Sequence, residues 1–282
     1  MSSLKDLYTA IETNRLRDFT IKTLRQLNLR PSKKLGQNFT IDPRLVKEIF
    51  YRASEMRCTG RAVDIGAGLG VLTSSLIEIC GRIIAVERDP RLCRFLRELF
   101  SVVDNVEVIC GDVLEIFPDI NPDHVIGTIP YSITGRLLGE ISFSKVSWAV
   151  LALQKDVVDR IISNPGSKRY GSITVLLKIF FEQNLGGVYP PESFYPAPEV
   201  FTQIIVLKRV REWRDLGIEI QNMLKCLFSQ RRKNLYNALE ICGYNILEEL
   251  DEDLLRKKVF QLAPEDFIRL YRKIFRRTEL IS

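Results

Sequence analysis

From Arg61 onward, short apolar runs alternate with amphipathic stretches. The runs are Ala62-Val63-Asp64-Ile65, Arg82-Ile83-Ile84-Ala85-Val86, Val106-Glu107-Val108-Ile109, His124-Val125-Ile126 and Val146 to Leu153. Helix-length segments rich in Leu and Arg separate the first three. Near-continuously apolar strands alternating with helices predict a parallel, doubly wound sheet covered on both faces. Phe201 to Leu207 has strand composition, follows the proline-broken stretch Tyr189 to Pro198, and suits an antiparallel strand at the sheet edge. Beyond about Lys208, Leu, Ile and Phe recur at three- and four-residue spacing, the period of packed helices. Residues 1 to about 50 read as two helical pieces separated by Pro31-Ser32.

The expected fold class is therefore α/β: a Rossmann-like, doubly wound, mostly parallel sheet with an antiparallel edge strand, plus a small all-helical C-terminal domain. The expected organisation is an N-terminal helical segment over 1–50, the sheet domain over 51–208 and the helical domain over 209–282. No internal repeat or low-complexity tract interrupts it.

Composition narrows the class. Hydrophobic residues make up 46% and charged residues 27% of the 282, the balance of an ordinary globular chain. No apolar run approaches the roughly 18 residues of a membrane span. The first turns mix Lys5, Arg15 and Arg17 with Asp6, Glu12 and Asp18, which points away from a signal or transit peptide. The 6 cysteines are scattered without a C-x-x-C pair and His124 is the 1 histidine, so zinc-site spacing is absent and no metal is expected. Cysteines among apolar residues read as buried reduced thiols, hence a reducing, cytoplasmic compartment. The net charge of +6 is concentrated at Arg30–Lys34, Lys225–Lys233 and Arg269–Arg277. Such clusters suit a polyanionic partner or solvated helix faces about equally.

The strand Ala62–Ile65 runs into Gly66-Ala67-Gly68-Leu69-Gly70, and a helix is expected from Val71 with Thr73 in its first turn. Glycines at a strand-to-helix turn let the backbone approach a ligand closely, and the helix start presents free N–H groups. Open parallel sheets bind ligands beyond the carboxyl ends of their strands. The spacing G-x-G-x-G differs from the dinucleotide pattern G-x-G-x-x-G, and Asp64 precedes it. An acid beside the loop repels phosphate but suits an ammonium group. Glu87 ends the next strand about 20 residues on, where a carboxylate accepts ribose hydroxyls. Asp112 follows the third strand in Cys110-Gly111-Asp112, placed to accept from an adenine amino group. Taken singly, each acid reads equally well as a helix cap or a solvated loop residue. At the tips of three successive strands they resemble class I S-adenosylmethionine-dependent methyltransferases, which implies S-adenosyl-L-methionine as cofactor.

After the fourth strand comes Gly127-Thr128-Ile129-Pro130-Tyr131. It is similar to the N/D/S-x-P-F/Y loop of methyltransferases that act on exocyclic amino groups. An adenine amino nitrogen is conjugated with its ring and is a poor nucleophile. A side-chain acceptor and a backbone carbonyl, each taking one N–H, orient it toward the sulfonium methyl. Proline holds the preceding residue extended, which aims the Ile129 carbonyl, and contributes no N–H of its own. Tyr131 offers a face for an extruded base.

Together these motifs resemble the ribosomal RNA adenine dimethyltransferase family over nearly the whole chain. Lys33-Lys34-Leu35-Gly36-Gln37-Asn38-Phe39 looks like its cofactor-lid motif, implying that Gln37, Asn38 and the Thr40 backbone meet the methionine end. Asp64, Gly66, Gly68, Gly70, Glu87 and Asp112 match its cofactor positions, and Phe194 would face Tyr131 across the target adenine; a core aromatic is the alternative for Phe194. Thr128 stands where the family carries its catalytic Asn. A threonine hydroxyl reaches about one bond length less far and must choose between donating and accepting. Loss of that contact implies about 1–3 kcal/mol of transition-state stabilisation, on the order of 10–100-fold in rate.

The segments Leu153–Val158, Gly166–Gly171, Phe194–Val200 and Phe228–Lys233 also look like family signatures. Lys33, Lys34, Lys155, Lys168, Arg169, Arg231, Arg232 and Lys233 are the expected RNA phosphate contacts. The resemblance implies dimethylation of two adjacent adenines in small-subunit ribosomal RNA, acting as a monomer on the RNA or on an immature small subunit, away from membranes. Three other readings stay open: a ribosome-assembly factor that binds cofactor and RNA with little or no methylation, a large-subunit enzyme of the macrolide-resistance type, and a small-molecule methyltransferase.

Overall fold

In the computed structural model, which describes residues 2–32, 35–246 and 250–275, the chain opens with α1 (Leu4–Glu12) and α2 (Leu16–Gln26). Ser3 starts α1 with a reciprocal cap: its hydroxyl accepts from the Asp6 N–H, and the Asp6 carboxylate accepts from the Ser3 N–H. Asn14, at φ 58°, ends it in the left-handed conformation that closes helices. The short strand β1 (Phe39–Thr40) leads to α3 (Pro43–Glu55), capped by Asp42 with Pro43 in its first turn. The helical material before residue 50 thus comes in three pieces rather than two, because Asn14 breaks the first.

Strand and helix then alternate as expected: β2 (Arg61–Ile65), α4 (Val71–Leu76), β3 (Arg82–Glu87), α5 (Pro90–Leu99), β4 (Val106–Cys110), α6 (Val113–Ile120), β5 (His124–Thr128), α7 (Thr134–Ser142) and β6 (Trp148–Gln154). After α8 (Lys155–Ile161) and α9 (Ser172–Phe180) come β7 (Phe181–Tyr189), β8 (Phe194–Tyr195) and β9 (Thr202–Arg209). The chain continues through α10 (Glu219–Ser229), α11 (Leu235–Ile241), α12 (Glu252–Arg256) and α13 (Pro264–Phe275).

The main sheet has the order β4-β3-β2-β5-β6-β9-β7. β4, β3, β2, β5 and β6 run parallel, and β9 pairs antiparallel with β6 from Trp148↔Lys208 to Gln154↔Thr202. β9 was expected at the edge, but β7 lies outside it. β7 escapes a reading by pattern because Glu182, Gln183, Asn184, Gly186 and Gly187 leave it no apolar alternation. The order reverses between β2 and β5, which makes their carboxyl ends the topological switch point of the sheet.

The chain forms two compact units. One holds the residues up to Lys155 together with Gln183–Lys208, and the other holds Asp156–Glu182 with the chain from Arg209 onward. Residues 156–182, placed by sequence in the 51–208 domain, therefore group with the C-terminal helices. The reason is packing: α9 lies against α10 and α13, and the fully buried Tyr170 donates its hydroxyl to the Leu262 carbonyl at 2.9 Å.

The cysteines overturn the reduced-thiol reading. They form three disulfides, Cys58–Cys80, Cys93–Cys110 and Cys226–Cys242. Separations of 22, 17 and 16 residues hid this, because the partners meet only through the fold. Cys58 precedes β2 and Cys80 precedes β3, its parallel neighbour, which brings their Cα atoms to 4.6 Å. Among the described residues no helix is long and apolar enough to cross a membrane.

Candidate active site

A pocket opens at the switch point. Its wall combines the glycine turn (Gly66 to Leu69), the ends of β3 and β4 (Glu87, Arg88, Gly111, Asp112), the loop after β5 (Thr128, Pro130) and the segment Leu35 to Thr40. Five stretches well separated in sequence therefore meet around one space.

The turn is built for close approach. Gly66, Gly68 and Gly70 all have positive φ, at 71°, 57° and 76°, which side chains other than glycine rarely adopt. Gly66 and Gly68 line the pocket; Gly70, expected to do so, does not. A Cβ on Gly70 would sit 2.9 Å from the Phe100 ring and 3.0 Å from Leu96, so this glycine starts α4 and lets it pack on α5.

Each acid has a built environment. Asp64 is 1% exposed and accepts from the Thr73 hydroxyl at 2.6 Å. Burial pushes its carboxyl up to about 6, against the hydrogen bonds from Thr73 that pull it down. A buried carboxylate whose donors on Thr73 are both neutral is matched to a cation that completes its pairing. Glu87 accepts the Gly68 N–H at 2.9 Å and the Asp89 N–H at 2.8 Å, which ties the glycine turn to the start of α5. Burial raises its pKa too, opposed by those N–H groups. Both oxygens retain a lone pair for further donors. Asp112 caps α6, accepting the Leu114 N–H at 3.0 Å, so the helix-cap and pocket readings of this residue hold together.

The lid segment is latched in place. The Gln37 amide accepts from the Ser32 N–H at 2.8 Å and donates to Asp89 at 3.2 Å. Gln37, expected on the cofactor, thus also anchors the lid to the cap of α5. Asn38 and Thr40 line the pocket. The Thr40 hydroxyl is buried without a hydrogen-bond partner among the described residues, an orphan that a polar ligand would satisfy. Lys33 and Lys34 lie outside the described residues.

On the acceptor side, Thr128 ends β5 opposite Ala152, and the Ile129 N–H donates to the Ala152 carbonyl at 3.2 Å. The Pro130 carbonyl takes the Ile133 N–H and the Thr134 hydroxyl, both at 3.2 Å, which fixes the turn. Tyr131 is 36% exposed and outside the pocket wall. Phe194 is different. It is 5% exposed, pairs with Thr40 in the ribbon of β1 and β8, and packs in the main apolar cluster with Phe39. Its ring packs as a core aromatic, the alternative that the sequence offered for this residue.

Sequence reasoning missed Arg88, whose side chain is in the wall and ion-paired with Asp112 at 3.3 Å, and Asp89, the lid latch. Of the expected RNA contacts, Lys168, Arg169, Arg232 and Lys233 are exposed, and Arg169 pairs with Asp159 at 2.7 Å. Arg231 instead donates to the carbonyls of Lys168 and Ser167 at 3.0 and 3.3 Å.

A doubly wound sheet with a glycine turn, strand-end acids and a lid at its switch point defines a class I S-adenosylmethionine-dependent methyltransferase. Residues 28–274 match the model of the ribosomal RNA adenine dimethylase family, and the chain belongs to that family. It is 34% identical over 268 residues to the ribosomal RNA small subunit methyltransferase A of Halothermothrix orenii, covering 89% of this chain and 86% of that one. It is 34% identical over 251 residues to the protein of the same name in Thermotoga maritima, covering 89% and 88%. The fold is similar to that of a dimethyladenosine transferase from Plasmodium falciparum, with TM-score 0.71 at 24% identity over 82% of this chain and 95% of that one.

Proposed function

We propose that the protein methylates the exocyclic amino groups of adenines in small-subunit ribosomal RNA, placing two methyls on each of two adjacent adenines during ribosome biogenesis. One observation carries the proposal: Thr128 and Pro130 share one pocket wall with Gly66, Gly68, Glu87 and Asp112. A loop suited to an amino nitrogen thus opens on a site suited to a nucleoside with an ammonium-bearing tail.

The residues present fit the cofactor. Glu87 and Asp112 would hold its ribose and adenine, while Asp64, Asn38 and the orphaned Thr40 hydroxyl would hold its methionine end. When bound, it supplies a sulfonium methyl. The chain's own part is to orient the acceptor: the Thr128 hydroxyl and Ile129 carbonyl each accept one N–H of the amino group, and Tyr131 stacks on the base. Lys155, Lys168, Arg169, Arg232 and Lys233 would set the RNA backbone without reading sequence. A cytoplasmic location, which now follows from the ribosomal RNA substrate and not from the cysteines, a monomeric enzyme and an immature small subunit as substrate complete the reading.

The test is incubation of purified protein with radiolabelled S-adenosylmethionine and immature small ribosomal subunits, followed by nucleoside analysis. Dimethyladenosine is expected. Cofactor bound with no methylated adenine would sink the enzyme reading and leave an assembly role.

A further inference from the structure

Two of the stretches that line the pocket are joined behind it by a covalent bond. Leu92 in α5 and Gly111 after β4 both stand in the wall. Their chain neighbours, Cys93 and Cys110, form a disulfide with Cα atoms 5.7 Å apart. The other two disulfides are placed differently: none of Cys58, Cys80, Cys226 and Cys242 adjoins a wall residue in sequence.

The bond gains weight from where β4 lies. β4 is the outermost strand at its end of the sheet, paired with β3 alone among the described residues. The segment Gly111-Asp112 is therefore held by the β3 ladder, by the Gly111 N–H donated to the Glu87 carbonyl at 3.0 Å, and by the bridge to α5. Helix α5 in turn begins at Asp89, the latch of the lid through Gln37. One bond thus fixes the spacing between the α5 side and the β4 side of the pocket.

The two sulfurs differ in access. Cys93 is 1% exposed, whereas Cys110 is an exposed residue. Cys58 and Cys80 are both buried, and Cys226 and Cys242 are both half-buried. A thiolate from solvent can therefore meet Cys110 directly. In the cytoplasmic location proposed above, a disulfide is most often a transient, redox-sensing one.

Given that this pocket binds S-adenosylmethionine, we infer that Cys93–Cys110 is a redox-responsive site that sets cofactor affinity. The bridge holds Leu92 and Asp112 at the spacing of a bound nucleoside, and its reduction lets the end of β4 move. A dithiol supplies the chemistry. One of its thiolates attacks Cys110 Sγ, the S–S bond breaks, and Cys93 leaves as a thiolate and takes a proton. The second thiolate attacks the mixed disulfide and releases Cys110, so two electrons and two protons reach the protein and the reductant ends as a disulfide. A disulfide oxidant reverses both steps.

Calorimetric titration of the full chain with S-adenosylhomocysteine and with adenosine, before and after dithiothreitol, tests this without any turnover. Reduction is expected to weaken both ligands by roughly 5- to 10-fold, the loss of a preorganised wall. Oxidised glutathione should restore both affinities. Differential alkylation read by mass spectrometry should label Cys93 and Cys110 at a lower reductant concentration than Cys58, Cys80, Cys226 and Cys242. Cys110→Ser opens the bridge at its exposed end and leaves the buried Cys93 in place. This variant should bind as the reduced wild type does, with no further response to reductant. Melting curves of each form separate a moved wall from unfolding. Equal affinity in the oxidised and reduced wild type overturns the inference, as does a redox response that persists in Cys110→Ser. An oxidised wild type that binds neither ligand overturns the cofactor reading itself, and the bridge's part with it.

Discussion

Gly36 lies against Pro130: a Cβ built on this glycine would come within 3.0 Å of the proline Cβ. The lid and the acceptor loop, almost a hundred residues apart in sequence, therefore touch at a point where only a hydrogen fits. Gly36 also has a φ of 64°, so two requirements select glycine. Gly36→Ala should lower kcat/KM about 10-fold or more, because a small displacement of the acceptor loop misaligns the reacting nitrogen. The backbone strain alone is worth about 1–2 kcal/mol. Gly166→Ala provides the control, since Gly166 has a φ of 87° with nothing within 4 Å. Similar losses of melting temperature in both, with turnover lost only in Gly36→Ala, would confirm the contact; equal turnover in both would refute it.

Thr128 supports a second prediction. Its position at the end of β5, on the pocket wall, is the one from which an asparagine carbonyl would reach farther. Thr128→Asn should raise methyl transfer or leave it unchanged, whereas Thr128→Ala should lower it by about 10-fold or more. Single-turnover rates on immature small subunits decide between them. A large fall in Thr128→Asn would mean that the site is rebuilt around threonine.

The legible parts of this chain were those that depend on local pattern. Ala62 to Ile65 followed by Gly66 announces a strand and a ligand turn, because burial on both faces and positive φ leave marks at each position. Glu87 and Asp112 were legible as strand-end acids for the same reason. What escaped depends on distance. Nothing near Gln37 names its partner Asp89, 52 residues on. Gly70 shares the turn's composition but faces Phe100, and Phe194 lies in a motif-like segment yet is buried with Phe39. Cysteine pairing is likewise a tertiary fact. Arg88 hid because its neighbour Glu87 drew the chemistry.

Asp64 links the cofactor site to pH. Burial holds its carboxyl at about 6 rather than 3.8. In the unliganded protein the folded state binds this proton more tightly than the unfolded state does. Its contribution to stability is therefore full below 3.8 and is lost as pH rises through about 6. Binding runs the other way: an ammonium pairs with the anion, so affinity for S-adenosylhomocysteine should rise from pH 5 to 7, about the range over which Asp64 ionises. Asp64→Asn should flatten that profile. A rise that persists in the variant would assign the dependence to another group.

The disulfides predict that the native protein shows no free thiol to a chromogenic reagent until it is denatured and reduced. Cys58 and Cys80 close a loop of 22 residues between the starts of adjacent strands. Replacing both with Ala should cost about 2–4 kcal/mol, read as a lower denaturant midpoint with little change in slope. Reductant should lower the midpoint of the wild type and leave the Cys58/Cys80 contribution absent in the variant. Free thiols in the untreated native protein would restore the reduced-thiol reading.

The run Arg231-Arg232-Lys233 divides by what each side chain touches. Arg231 donates to two carbonyls, those of Lys168 and Ser167, and sits 5.5 Å from the Phe260 ring centre, so it braces the loop after α8. Arg232 and Lys233 are exposed. A residue that ties down the carbonyls of a loop costs stability when removed, whereas an exposed phosphate contact costs affinity and salt dependence. Arg231→Ala should thus lower the melting temperature. Arg232→Ala with Lys233→Ala should melt as wild type but bind ribosomal RNA more weakly, with the slope of log affinity against log salt reduced by about 2. Filter binding across a salt series measures this directly. An unaltered slope in the double variant would make these two residues a solvated helix end and move the RNA contact elsewhere in the unit.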